Sequence, residues 1–383
     1  MNGPPPASAR LATLDAARGL AALMVVAFHM AIFVHIKLVS FGGWSFFKKG
    51  YLAVDLFFLL SGFVIALSYE RKLKSGQMSP GRFLAIRAVR LYPLYLAATL
   101  AGLAIWLGSH PGEATPWTLI AMAVAGLPQL APAPAADPSL FPFNEVGWSL
   151  FLEIAVNVLW CLALVRLPLR LLWAVAALAA VPLLATGIDC GSFNFGVDAR
   201  EFGDALPRVM VSFTLGLIVC RSMDEPWFPR LEIPAVALLA ALGLALGLPL
   251  GFSGLEWDAG FVFFGVPLFV ALGCRAEPPA ALRGLFGELG RLSYAIYLVH
   301  MPCIRAVDMV WRGMAGQPVG DSPLAGAAAI FALVLASSYA LTSWFDEPLR
   351  AMLGRRLMPG PAAAAAPPQP MASTIPARFL QAR

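Results

Sequence analysis

Long apolar runs recur along this chain from end to end and leave no room for a sizeable water-soluble domain. Hydrophobic residues make up 59% of the 383 residues and charged residues only 13%, and the mean hydropathy is +0.75. Each run is close to the roughly 20 residues that a helix needs to cross about 30 Å of hydrocarbon. This composition excludes a soluble globular protein. The sequence therefore predicts an all-α, polytopic integral membrane protein with about ten transmembrane helices.

The apolar runs define the predicted spans, and the basic residues between them set their orientation. The predicted spans are 14–35, 51–69, 91–108, 149–165, 170–187, 206–220, 233–250, 257–273, 289–310 and 323–345. Lys and Arg gather in alternate connections between the spans, so the positive-inside rule places both termini in the cytoplasm. We expect a multi-pass protein of the cell membrane. Segment 117–130 is also apolar, but a span there would move the basic turn at 166–170 outside. We interpret it as interfacial or re-entrant.

The composition also indicates how the chain is divided into segments and which classes of partner it has. We expect a short cytoplasmic segment at 1–12, a membrane domain at 13–350 and a Pro/Ala-rich, disordered cytoplasmic tail at 351–383. The formal charge of +5 is explained by the Lys and Arg residues that cytoplasmic loops of membrane proteins carry. We therefore expect no nucleic-acid partner. The five cysteines form no C-x-x-C pair, and neither a metal site nor a disulfide framework is predicted.

Ionisable residues inside the first span mark the first candidate site. On a helix, Asp15, Arg18 and His29 lie on one stripe, separated by small or aliphatic residues. A charged side chain at a bilayer centre costs about 2.5–3.5 kcal/mol on insertion scales, so such residues face a protein interior or a water-filled path. Arg18 and His29 are therefore candidates for function.

Three further ionisable groups are predicted at a similar depth in other spans. Asp55 begins the second span, Glu153 lies in the fourth and His300 in the ninth. Exposing any of these three groups to lipid would cost free energy. The simplest explanation of their positions is one polar cavity that they share with His29. Asp55 taken alone is explained equally well as a helix-end carboxylate that reaches interfacial water, and His300 as a structural histidine.

Arg87 and Arg90 stand at the cytoplasmic start of the third span with i, i+3 spacing. Two guanidinium groups on one side of a helix can hold phosphate oxygens bidentately. By spacing alone, ordinary positive-inside anchoring explains them better. In the ninth span, Ser293 and Tyr297 share a stripe with His300, which puts polar groups on the same helix face.

Several short motifs follow one another in a recognisable order. They are LDAARGLAALMVVAFH in the first span, VDLFFLLSGF in the second, R-x-x-R followed by LYPLY, WSLFLE in the fourth, LSYAIYLVH in the ninth, and DEPLR at the end. In this order and with this spacing the chain resembles the acyltransferase 3 family of integral-membrane acyltransferases. These modify cell-envelope polysaccharides, O-antigen, nodulation factors, peptidoglycan and macrolides. Ala16 and Ala53 stand where the family often has Gly.

The resemblance implies roles for the residues that match those motifs. His29 falls on the family's catalytic histidine, Arg18 on its first-helix arginine, and Arg87 and Arg90 on the pair associated with acyl-coenzyme A. It also lays Glu153 and His300 on functionally important positions, and we add Asp55 to the catalytic set and Tyr297 to the donor-binding set. We expect no permanently bound cofactor. Acyl-CoA is expected as donor substrate, with a carbohydrate or other envelope acceptor and a possible partner envelope protein.

These expectations combine into a mechanism with open alternatives. Coenzyme A phosphates at Arg87 and Arg90 would let the pantetheine arm rise toward His29, which lies roughly 16 Å along the helix from Arg18. A hydroxyl acceptor needs a base that titrates near neutral pH, and histidine fits. Asp55 or Glu153 would orient the ring. We favour direct attack by the acceptor over an acyl-histidine, and an O-acetyltransferase over the alternatives of an exporter with a buried proton relay or an inactive scaffold.

Overall fold

The structure, a computed structural model, describes residues 11–33, 40–41, 44–112, 115–129, 139–248 and 254–357. The predicted amino-terminal segment 1–12 lies outside these residues up to residue 10, and the predicted tail lies outside them from residue 358. The first part of that tail is helical, because the last helix continues past Arg350 to Leu357.

The described chain is almost entirely helical. The helices are α1 (Ala12–Phe33), α2 (Ala53–Lys74), α3 (Pro80–Ser109), α4 (Trp117–Ala125), α5 (Gly147–Leu162), α6 (Leu169–Cys190), α7 (Phe202–Arg221), α8 (Ala235–Gly247), α9 (Gly254–Gly260, π-helical Phe261–Gly265 and Val266–Gly273), α10 (Arg283–Ala315) and α11 (Pro323–Ala340, π-helical Leu341–Asp346 and Glu347–Leu357). The strands Ser40–Phe41 (β1) and Trp44–Ser45 (β2) form a short antiparallel pair. Single 3-10 turns lie at Gly50–Leu52, Leu164–Arg166, Ala280–Leu282 and Val319–Asp321.

The prediction of a polytopic helical membrane protein is confirmed. Within the described residues, α1, α2, α3, α6, α7, α9 and α11 are long and apolar enough to cross a membrane. Apolar helices α5 and α8 are shorter, with 16 and 13 residues, and α10 has 33 residues with a charged first turn. Helix α4 has nine residues and covers about 13 Å, too short for a span, as the interfacial or re-entrant interpretation of 117–130 predicts.

Helix α3 begins well before its predicted start at residue 91. Ser79 caps it by accepting a hydrogen bond from the backbone N–H of Arg82 (3.2 Å), and Pro80 occupies the first turn, where its missing N–H costs nothing. The basic segment of 82–90 is therefore helical and continuous with the span. Arg87 and Arg90 consequently project from a rigid helix.

Glycines set two of the closest helix contacts. A Cβ atom on Gly19 in α1 would meet the backbone of Leu289 in α10. A Cβ atom on Gly216 in α7 would meet the carbonyl oxygen of Leu59 in α2. Small residues of this kind allow membrane helices to approach backbone to backbone. The pairs α1–α10 and α2–α7 are thereby fixed, and these helices carry most of the candidate site residues.

One end of the bundle, here called the basic end, is where α1, α3 and α10 begin and α2 and α11 end. Its helix ends touch one another. Arg291 of α10 donates to the Ser343 hydroxyl of α11 (3.0 Å), and the rings of Tyr69 in α2 and Phe83 in α3 have centroids 5.4 Å apart. Arg87 and Arg90, predicted at the cytoplasmic start of the third span, lie in the first turns of α3 at this end.

Candidate active site

A cavity of about 670 Å³ opens between α1, α3, α10 and α11 at the basic end. Its charged lining consists of four arginines and four carboxylates: Arg18, Arg90, Arg291, Arg350, Asp15, Glu288, Asp346 and Glu347. The π-helical turn Leu341–Asp346 contributes Thr342, Ser343 and Asp346 to its wall. The cavity is therefore polar and accessible to a charged ligand.

Most of the arginines in this cavity are already paired. Arg291 binds Glu288 (2.8 Å) and lies 3.4 Å from Glu347, while Arg350 binds Asp346 at 2.7 Å. Arg18 lies 3.7 Å from Asp15 in the preceding turn. Arg90 lines the same cavity, and the described part of the chain gives it no ion pair. Its half-buried guanidinium is thus available to an anion.

A smaller inner cavity of about 80 Å³ lies next to the first and shares Arg18, Arg90 and Tyr294 with it. Its deeper wall contains Ser149, Glu153 and Tyr297 among apolar side chains of α2, α5 and α10. The hydroxyl groups of Ser149 and Tyr297 are 2.6 Å apart, which joins α5 to α10. The two cavities lead from the basic end into the centre of the bundle.

Glu153 and Arg87 form an ion pair in the wall of the inner cavity. The Nη2 atom of Arg87 donates to Oε1 of Glu153 (2.5 Å), which also accepts from the hydroxyl of Ser61 (3.0 Å). Arg87 is buried, with 7% of its surface exposed. Arg87 is thus paired with a carboxylate, and donor binding by Arg87 and Arg90 together stays a prediction. The i, i+3 spacing places the two arginines on the same side of α3, but only Arg87 pairs with Glu153 of α5.

The two histidines come together. Nε2 of His300 lies 3.1 Å from Nδ1 of His29, and their ring centroids are 4.9 Å apart. His29 Nδ1 is also 3.0 Å from the carbonyl oxygen of Val25, and His300 Nδ1 is 2.7 Å from that of Tyr297. His300 is fully buried and His29 half-buried. Because the Tyr297 ring is 5.9 Å from that of His300, Tyr297 connects the inner cavity to the histidine pair.

Asp55 belongs to a different cluster. Its two carboxylate oxygens accept from Nε and Nη2 of Arg208, at 2.6 Å for the shortest contact, and from the hydroxyl of Ser212 (3.1 Å). Arg208 also donates to the carbonyls of Tyr51 and Phe195. The expectation that Asp55 shares a polar cavity with His29 and orients its ring is therefore wrong. A buried carboxylate pairs with an arginine within reach, because both charges would otherwise be left uncompensated.

Arg208 was not among the site residues predicted from the sequence. A signal was present, because this arginine lies inside the predicted span 206–220 and an ionisable residue there requires a partner. His35 lies outside the described residues. His110 stacks on Trp106 at the far end of α3, with ring centroids 4.2 Å apart. Neither residue had been assigned a role.

Comparisons with known proteins agree with this architecture. A family model described as "Acyltransferase domain" matches residues 11–343. Acyltransferase MdmB of Streptomyces mycarofaciens is 29% identical over 92% of this chain and 95% of its own length. Exopolysaccharide production protein ExoZ of Rhizobium meliloti is 29% identical over 76% and 86%. "Protein 2 in picA locus" of Rhizobium radiobacter is 35% identical over 47% and 96%. No solved structure matches the chain.

Proposed function

The chain belongs to the acyltransferase-domain family, and on that premise we propose that it transfers an acetyl group from acetyl-CoA to a hydroxyl of a cell-envelope carbohydrate. The name of the similar exopolysaccharide production protein supports the carbohydrate acceptor. The observation that carries the proposal is the pair of adjoining cavities, which share Arg18 and Arg90. Tyr297, in the wall of the inner cavity, has its ring 5.9 Å from that of His300.

The donor enters from the basic end. The positive-inside rule puts this end in the cytoplasm, on the cytoplasmic side of the cell membrane, where acyl-CoA is made. Arg90, supported by Arg18, binds the phosphates, because a guanidinium recognises phosphate oxygens with directed hydrogen bonds. The pantetheine arm then extends along α1. Arg18 and His29 are separated by about 16 Å on this helix, so the thioester reaches the region of the histidine pair.

His29 is the general base of the transfer. The acceptor hydroxyl gives its proton to the His29 ring while its oxygen forms a bond to the thioester carbonyl carbon. The carbon–sulfur bond then breaks, and the departing coenzyme A thiolate takes the proton from His29. Acetyl ester and free coenzyme A result, with no acyl group left on the enzyme. An acetyl group trapped on His29 in acid-quenched protein would contradict this direct route.

Acetyl-CoA binding to the purified protein in nanodiscs tests the donor site. We expect Arg90→Gln to weaken binding by about 10- to 100-fold, because a hydrogen bond to a charged group contributes about 1.5–3 kcal/mol. His29→Ala should leave binding intact and abolish transfer. Arg312→Gln is the matched control, since this exposed arginine pairs with Asp308 near the opposite end of α10. Absence of binding by the wild-type protein would overturn the proposal.

A further inference from the structure

The hydrogen bonds of the histidine pair determine where its protons lie. A carbonyl oxygen only accepts hydrogen bonds, so Nδ1 of His300, 2.7 Å from the carbonyl of Tyr297, carries a proton. In a neutral ring, Nε2 of His300 is then an acceptor. That acceptor faces Nδ1 of His29, which also faces the Val25 carbonyl at 3.0 Å. Both neighbours that the described residues give to His29 Nδ1 are acceptors, so we assign the proton to this nitrogen.

We propose that His300 is a positioning residue, which accepts the Nδ1 proton of His29 and thereby keeps the basic lone pair of His29 on Nε2. The inference deepens the proposed function, since it rests on His29 as the base of the transfer. It gives His300 the position that a carboxylate holds in a serine–histidine–aspartate site, where the third group fixes the tautomer and orientation of the base. In the structure Asp55 pairs with Arg208 and Glu153 pairs with Arg87. The group that contacts His29 is therefore the imidazole of His300 and not a carboxylate.

The pair also accommodates the charge that forms during transfer. When Nε2 of His29 takes the acceptor's proton, its ring becomes an imidazolium whose Nδ1–H is shared between the lone pair of His300 and the Val25 carbonyl. Hydrogen bonds to ionised groups are stronger than neutral ones, so the contact tightens as the acceptor oxygen attacks. The proton then passes from His29 Nε2 to the coenzyme A thiolate, and both rings return to their starting tautomers. His300 keeps its own Nδ1 proton on the Tyr297 carbonyl throughout.

Two substitutions separate the acceptor role from simple packing. His300→Phe keeps a ring of similar size and removes the acceptor, and we expect kcat to fall by roughly 10- to 100-fold, with the KM for acetyl-CoA unchanged. His300→Gln provides an amide oxygen as acceptor, and we expect it to recover most of that loss. His110→Gln, remote from both cavities, is the matched control. Equal rates for His300→Phe and wild type, or equal losses in the Phe and Gln variants, would overturn the inference.

Nitrogen NMR of ¹⁵N-histidine-labelled protein tests the pair without any turnover. We expect a proton on Nδ1 and none on Nε2 of neutral His29, and a scalar coupling across the N–H···N bond to His300 that disappears in His300→Gln. A wild-type spectrum with the His29 proton on Nε2 would refute the role of His300 whatever the activity. A wild-type protein that shows the expected spectrum but transfers nothing from acetyl-CoA would refute the proposed function instead.

Discussion

The Asp55–Arg208 pair predicts that neutralising one charge harms the protein more than neutralising both. Both side chains are almost completely buried, with relative side-chain exposures of 1% and 2%. Asp55→Asn keeps the size of the side chain and leaves the guanidinium of Arg208 without a counter-charge. Breaking a buried ion pair in this way costs about 3–5 kcal/mol.

The double variant Asp55→Asn/Arg208→Gln removes both charges and leaves two amides that can hydrogen-bond to each other. In the wild type Arg208 donates to the carbonyls of Tyr51 and Phe195, and a glutamine amide at position 208 can donate to at most one of them while it also bonds the amide at position 55. One unsatisfied buried carbonyl costs about 1–3 kcal/mol. We therefore expect the double variant to lose about 2 kcal/mol, less than Asp55→Asn alone.

The unfolding free energy is measured by SDS titration in mixed micelles, followed by tryptophan fluorescence, and acetyl transfer is measured on the same samples. We expect the double variant to keep a transfer rate within about tenfold of wild type, since general-base contributions of about 10²–10⁴ remain with His29. Two results would refute the reasoning. One is a double variant destabilised by the sum of the single losses, and the other is a folded double variant without activity, which would return Asp55 to the catalytic set.

Two further predictions concern packing and orientation. Gly216→Ala places a Cβ against the carbonyl of Leu59 and is expected to cost about 1–3 kcal/mol, measured by thermal unfolding, whereas Gly203→Ala meets open space and should be neutral. Cys190 is an exposed thiol at the end of α6 away from the basic end, so a membrane-impermeant maleimide added to intact cells should label it, and Cys190→Ser should remove the label. Labelling only after permeabilisation would reverse the proposed orientation.

The helices were predictable from the sequence because the thickness of the hydrocarbon sets the length of each apolar run. Their ends were less predictable. Helices α3 and α10 continue into basic segments beyond the hydrocarbon, where Ser79 rather than hydropathy determines the start of α3. The π-helical turns Phe261–Gly265 and Leu341–Asp346 could not be foreseen, because a shift of the hydrogen bonds by one residue leaves no mark on composition.

Within the site, the sequence identified the charged side chains but did not identify their partners. The cost of burial singled out His29, Glu153 and His300, and the structure gives each of them a hydrogen-bonded neighbour. Which carboxylate meets which arginine depends on how the helices rotate against one another. Periodicity within one helix carries no such information. The pairing of Asp55 with Arg208 follows from the close contact of α2 and α7, which the sequence alone does not specify.

The separation of that pair along the chain has a consequence for how the protein is made. Asp55 and Arg208 are 153 residues apart. At synthesis rates of about 5–20 residues per second, the carboxylate is made roughly 8–30 s before its arginine. During that interval Asp55 lies in the first turn of α2, at the end of an apolar stretch that runs to Leu67, where interfacial water still solvates it. The half of the bundle away from the basic end can therefore close only late, after α7 has been inserted beside α2.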